Sequence, residues 1–118
     1  MIEIFAKKAG STLCKWVVEE VKVKKDLDGL NKVLKTFFDG LDKLGIKDVK
    51  FDFSSEIAEN KMVTRSKCPI YKYYPLWCEK ACVEFISSFT RTFSRRISVE
   101  RVKKQPESEY CEFEFRIK

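Results

Sequence analysis

From Cys78 onward the apolar residues recur at spacings of three and four: Cys78, Ala81, Cys82, Phe85, Ile86, Phe89 and Phe93. That is the stripe of one amphipathic helix, with Pro75 suited to its first turn. Beyond it the period changes to two. "ISVERV" (97–102) and "YCEFEFRIK" (110–118) read as two strands joined across "KKQPES". In the second strand Cys111, Phe113, Phe115 and Ile117 share one face, and Tyr110, Glu112, Glu114 and Arg116 share the other. A helix with one apolar stripe and strands with one apolar face bury both surfaces only against each other.

The N-terminal half supplies the remaining elements. Residues 2–22 read as a helix with the stripe Phe5, Ala9, Leu13, Trp16, Val17 and Val21, bordered by Cys14. Residues 27–44 form a second helix through Leu27, Leu30, Leu34, Phe37, Phe38, Leu41 and Leu44, with Asp26 as its cap and Gly45 as its left-handed stop. "DVKFDF" (48–53) alternates as a half-buried strand, and "NKMVTRS" (60–66) fits its partner. The order is ααββαββ. It predicts an α+β fold: an antiparallel sheet with helices packed on one face. At 118 residues the chain is expected to form a single domain, 1–118.

Several function classes are disfavoured. No stretch approaches the roughly 20 apolar residues of a membrane span, and "MIEIFAKKAGSTLCKW" lacks the pattern of a secretory signal. The expected location is the cytoplasm, where the five cysteines stay reduced. Charged residues are 36% of the chain, while Gln105, Asn31 and Asn60 are its only side-chain amides. That balance suits a thermophilic source. The net charge of +6 could attract nucleic acid, but the lysines and arginines alternate with Glu and Asp, as on a solvated surface, so nucleic acid is not the expected partner. The four glycines are scattered, which leaves no phosphate loop. Histidine, the commonest catalytic base, is absent.

Cysteine is the residue that asks for chemistry. "CPIYKYYPLWCEKAC" (68–82) crowds Cys68, Cys78 and Cys82 together. Cys78 and Cys82 are four apart, on one face of a helix. Cys111 faces the side of the last strand on which that helix must pack. Four thiols from three segments would suit zinc, or alternatively an iron–sulfur cluster. Core packing fits the same positions, since cysteine is a small hydrophobe. Redox or nucleophilic use is the third reading. The run Tyr71, Tyr73, Tyr74 and Trp77 either lines a ligand pocket or covers a loop.

The C-terminal half, from "KCPIYKYYPLWCEKAC" to "YCEFEFRIK", resembles the end of the 4-vinyl reductase-type small-molecule-binding domains. It also resembles the related family named for L-2-amino-thiazoline-4-carboxylic acid hydrolase. The likeness rests on a cysteine near a helix start (Cys78 or Cys82), a strand with Glu100, and the ending "CEF" (111–113). Upstream, "AGSTLCKWVVEEV" and "LDKLGIKDVKFDF" follow the same order. The chain departs from the pattern where Pro106, Glu107 and Ser108 replace a glycine, and where Val102 and Lys103 stand in place of a cysteine. No complete catalytic set carries over. The resemblance implies a pocket between helices and sheet and a role in ligand binding or sensing.

The combined expectation is a stand-alone ligand- or redox-sensing domain. Cys68, Cys78, Cys82 and Cys111 would hold the metal, beside an apolar pocket formed by Tyr71, Tyr74, Trp77, Phe85, Phe89, Phe113 and Phe115. The expected partners are a small apolar or heterocyclic ligand, a second copy of the chain and a regulator protein, with no membrane. The competing expectation is a thiol-dependent hydrolase of a small heterocyclic acid, with Cys82 or Cys78 as nucleophile, and a further alternative is nucleic-acid binding through the basic faces.

Overall fold

A computed structural model describes residues 2–43, 53–67, 75–103 and 110–117. Helix α1 spans Ile2–Glu20 and α2 spans Leu27–Lys43. Asp26 caps α2 as expected, its Oδ1 accepting the Gly29 N–H at 2.8 Å. Strands β1 (Ser54–Ala58) and β2 (Lys61–Ser66) form a hairpin. A π-helical turn, Trp77–Ala81, leads into α3 (Cys82–Phe93). Strands β3 (Ile97–Lys103) and β4 (Cys111–Ile117) complete the ααββαββ order.

The sheet is antiparallel throughout, in the order β1-β2-β4-β3. Its register sets Met62 opposite Phe115, Thr64 opposite Phe113 and Ser66 opposite Cys111. These residues form the face that meets the helices, as the period-two spacing of β4 predicts. The other face is ionic. Arg65 donates to Glu112 at 2.7 Å and pairs with Glu56 at 3.7 Å, and Lys61 pairs with Glu114 at 3.8 Å. A hydrogen bond from Arg116 holds the Glu114 carboxyl below the usual carboxylate range. On this face the basic side chains of β2 and β4 are matched by acids.

Two features differ from the reading of the sequence. The first strand of the sheet is Ser54–Ala58, four of whose five residues are exposed. An edge strand of this kind carries little alternation to read. The strand expected over 48–53 lies outside the described residues except for Phe53, which is not in a strand. The second difference concerns α1. Its buried residues are Ala6, Gly10 and Cys14, whereas Phe5 and Trp16 of the expected stripe are both 63% exposed. The cause is a close approach of α1 to α3. A Cβ on Gly10 would collide with the Phe85 carbonyl oxygen. Small residues every fourth position give α1 a flat ridge that α3 can touch, and larger side chains there would hold the helices apart. Ser88 fastens the contact by donating to the Lys7 carbonyl at 2.6 Å.

Candidate functional site

Because the small ridge of α1 seats on α3, its larger residues fall to one side. Phe5, Ala9 and Leu13 there form one wall of an apolar cavity of about 300 Å³. Leu34, Phe37 and Phe38 of α2 form a second wall, extended by Phe53. Thr64, Ser66, Cys111, Phe113 and Phe115 supply the sheet side. Trp77 and Cys78 of the π-helical turn, with Cys82, Phe85 and Ile86 of α3, close the remainder.

The aromatic walls brace one another. Phe38 stacks on Phe53 with ring centroids 4.9 Å apart, and Phe37 meets Phe38 edge-on at 5.4 Å. Phe85 connects Phe37 at 5.7 Å with Trp77 at 5.8 Å. A wall of mutually packed rings is stiff, so the space it bounds is largely preformed.

The structure brings together three of the four expected thiolate ligands. Cys78, Cys82 and Cys111 all line this cavity, and all are thiols rather than disulfides. Cys78 and Cys111 are buried, and Cys82 is partly exposed. Cys68 lies outside the described residues, as do Tyr71 and Tyr74. Among the described residues no group of three or more His, Cys, Asp or Glu is placed to hold a metal ion. Of the expected pocket residues, Trp77, Phe85, Phe113 and Phe115 line the cavity. Phe89 does not; it is fully buried between the helices, 5.6 Å from Phe37. Cys14 is also fully buried and away from the cavity. Burial pushes its thiol up to about 11, with Lys25 pulling weakly the other way.

Two polar features mark the cavity. Thr64 and Ser66 carry the only hydroxyls among its described lining residues. Ser66 sits directly across from Cys111, so hydroxyls and thiol share one end. Sequence reasoning missed them, although their spacing from Met62 on β2 places all three on one face. The second feature is Arg101. Opposite Phe113 in the register, and beside the irregularity between Arg101 and Lys103, it lies on the cavity side of β3. Its Nη1 donates to the Cys78 carbonyl at 2.6 Å. The π-helical turn itself closes with the Cys82 N–H donating to the Trp77 carbonyl. Such turns insert one residue into a helix and occur often at functional sites.

No described lining residue is an Asp, Glu, Lys or Arg. The arrangement offers apolar enclosure, a few hydrogen-bonding groups and sulfur, without a described general base in its wall. No described helix is long and apolar enough to cross a membrane. Comparison with family models, with curated proteins and with solved structures finds no match to this chain.

Proposed function

We propose that the protein is a binding domain for a small, flat, mainly apolar molecule held between the helices and the sheet. The single observation that carries this reading is the aromatic-walled cavity of about 300 Å³. A dry cavity of about 150 Å³ takes a benzene ring, so this one suits two fused rings. Thr64 and Ser66 supply a polar anchor at one end, and the ring edges of Phe37, Phe85 and Phe113 supply the apolar contact. A ligand enclosed this way ties α1, α2 and the sheet together, and a sensor could transmit its presence through that coupling.

The test is thermal unfolding with and without 2-naphthol, whose two rings and one hydroxyl match the space. Saturating ligand raises the Tm by mass action. Ala9→Phe, which fills the cavity from α1, removes the ligand-dependent shift. An unchanged Tm at every soluble concentration of 2-naphthol contradicts the reading.

A second reading has one observation in its favour: three thiols line the same cavity, although no three described side chains are placed to hold a metal ion. Thiolates of Cys78, Cys82 and Cys111, with Cys68, would suit zinc or an iron–sulfur cluster. One metal per chain in elemental analysis, lost in Cys78→Ser and Cys111→Ser, decides for it. Metal-free protein that folds normally decides against it.

A further inference from the structure

We infer that the ligand of this cavity carries a conjugated electrophilic carbon, an α,β-unsaturated carbonyl, and that the Cys82 thiol captures it as a reversible thioether. The inference rests on the cavity-binding reading and adds the chemical class of the ligand.

Three observations carry it. First, of the four described cysteines, three line the cavity, Cys111 from the sheet side and Cys78 and Cys82 from the π-helical turn and α3. Sulfur at those positions adds a soft nucleophile to an apolar lining. Second, the polar groups suit a carbonyl. Thr64 and Ser66 can donate to its oxygen from the sheet side, while the conjugated ring system lies against Phe37, Phe85 and Phe113. Third, the cysteines differ in access. Cys14 is fully buried outside the cavity, and Cys78 and Cys111 are 4% and 3% exposed. Cys82 is partly exposed and also lines the cavity. It therefore meets both the ligand and the water that carries its proton away.

The step balances without a co-reactant. The Cys82 S–H ionises and its sulfur forms a bond to the β carbon. The C=C π pair shifts to give the enolate, whose oxygen is held by the hydroxyls. The α carbon then takes up one proton, equal to the one the thiol lost. Nothing is oxidised or reduced, and elimination reverses the sequence.

The experiment treats the full chain with benzylideneacetone, with its saturated analogue benzylacetone as control, and reads adducts by intact mass and peptide mapping. The expected result is one adduct per chain, on Cys82, that saturates with concentration and is slowed by 2-naphthol. Cys82→Ala loses the adduct yet keeps the parent's far-UV circular dichroism spectrum and cooperative thermal unfolding, which shows that it folds. Benzylacetone gives no adduct. Absence of an adduct, an adduct on another cysteine, or labelling no faster than a small free thiol overturns the inference while 2-naphthol still binds. If 2-naphthol fails to bind as well, the cavity reading falls with it.

Discussion

Arg101 on β3 reaches across the cavity side of the sheet and donates its guanidinium N–H to the Cys78 carbonyl at 2.6 Å. The bond ties the sheet to the π-helical turn that presents Cys78, beside a cavity whose described lining residues carry no charge. A hydrogen bond to a charged group contributes about 1.5–3 kcal/mol. Arg101→Met keeps most of the apolar stem and loses the donor. It is expected to lower stability by about 2 kcal/mol in urea unfolding. A midpoint equal to the parent's would mean that the turn is held by other contacts.

Gly10 faces the main chain of α3. Replacing glycine by alanine in a helix interior normally stabilises by about 1 kcal/mol. Here the added Cβ would collide with the Phe85 carbonyl oxygen and sit 3.1 Å from the Phe89 nitrogen. Backbone atoms cannot rotate aside, so the helices must separate. Gly10→Ala is expected to destabilise by about 1–3 kcal/mol. A stabilising effect in chemical denaturation would refute the close α1–α3 approach.

The order of elements was legible because α3 and β4 keep clean periods of 3.6 and 2 over their whole length, and β3 alternates from Ile97 to Val99 before its irregularity at Arg101. The unanticipated strand Ser54–Ala58 and the altered face of α1 have physical causes. In α1 the large residues Phe5 and Trp16 dominate any hydrophobic pattern, yet close packing selected the small ridge Ala6, Gly10 and Cys14. In β1 the residues Ser54, Ser55 and Glu56 give no apolar alternation, because an edge strand is held by its neighbour's main chain. The shared position of Cys78, Cys82 and Cys111 could be anticipated from their faces. Phe53, Leu13 and the hydroxyls of Thr64 and Ser66 join them only through the tertiary fold.

Thr90 is fully buried in α3, and its Oγ1 has no hydrogen-bond partner among the described residues. A buried hydroxyl without a partner retains its desolvation cost. Thr90→Val replaces it with a methyl group of the same shape. The variant is expected to be more stable by about 1 kcal/mol. A loss of stability would reveal a partner for the hydroxyl.

Cys14 makes alkaline stability asymmetric. Its thiol is pushed from 9.0 to about 11 by burial. The folded state therefore holds the proton more tightly than the unfolded chain. The stabilisation is fully present below pH 9 and is lost as the pH rises toward 11. Cys14→Ala removes this loss. Urea midpoints of the parent should fall more steeply than those of the variant between pH 8.5 and 10.5. Parallel curves would place the thiol in a wetter site.

The central claim is that the aromatic-walled cavity admits a flat ligand. Trp77 lines that cavity and Trp16, the second tryptophan, is exposed and away from it. The direct measurement is a titration with 2-naphthol followed through the two indole N–H signals in NMR spectra, with Trp16→Phe fixing the assignment. The account predicts a saturating shift of the Trp77 signal, a Kd on the order of 0.1 mM, and a stationary Trp16 signal. A stationary Trp77 signal, or equal unsaturating drift of both, would contradict it.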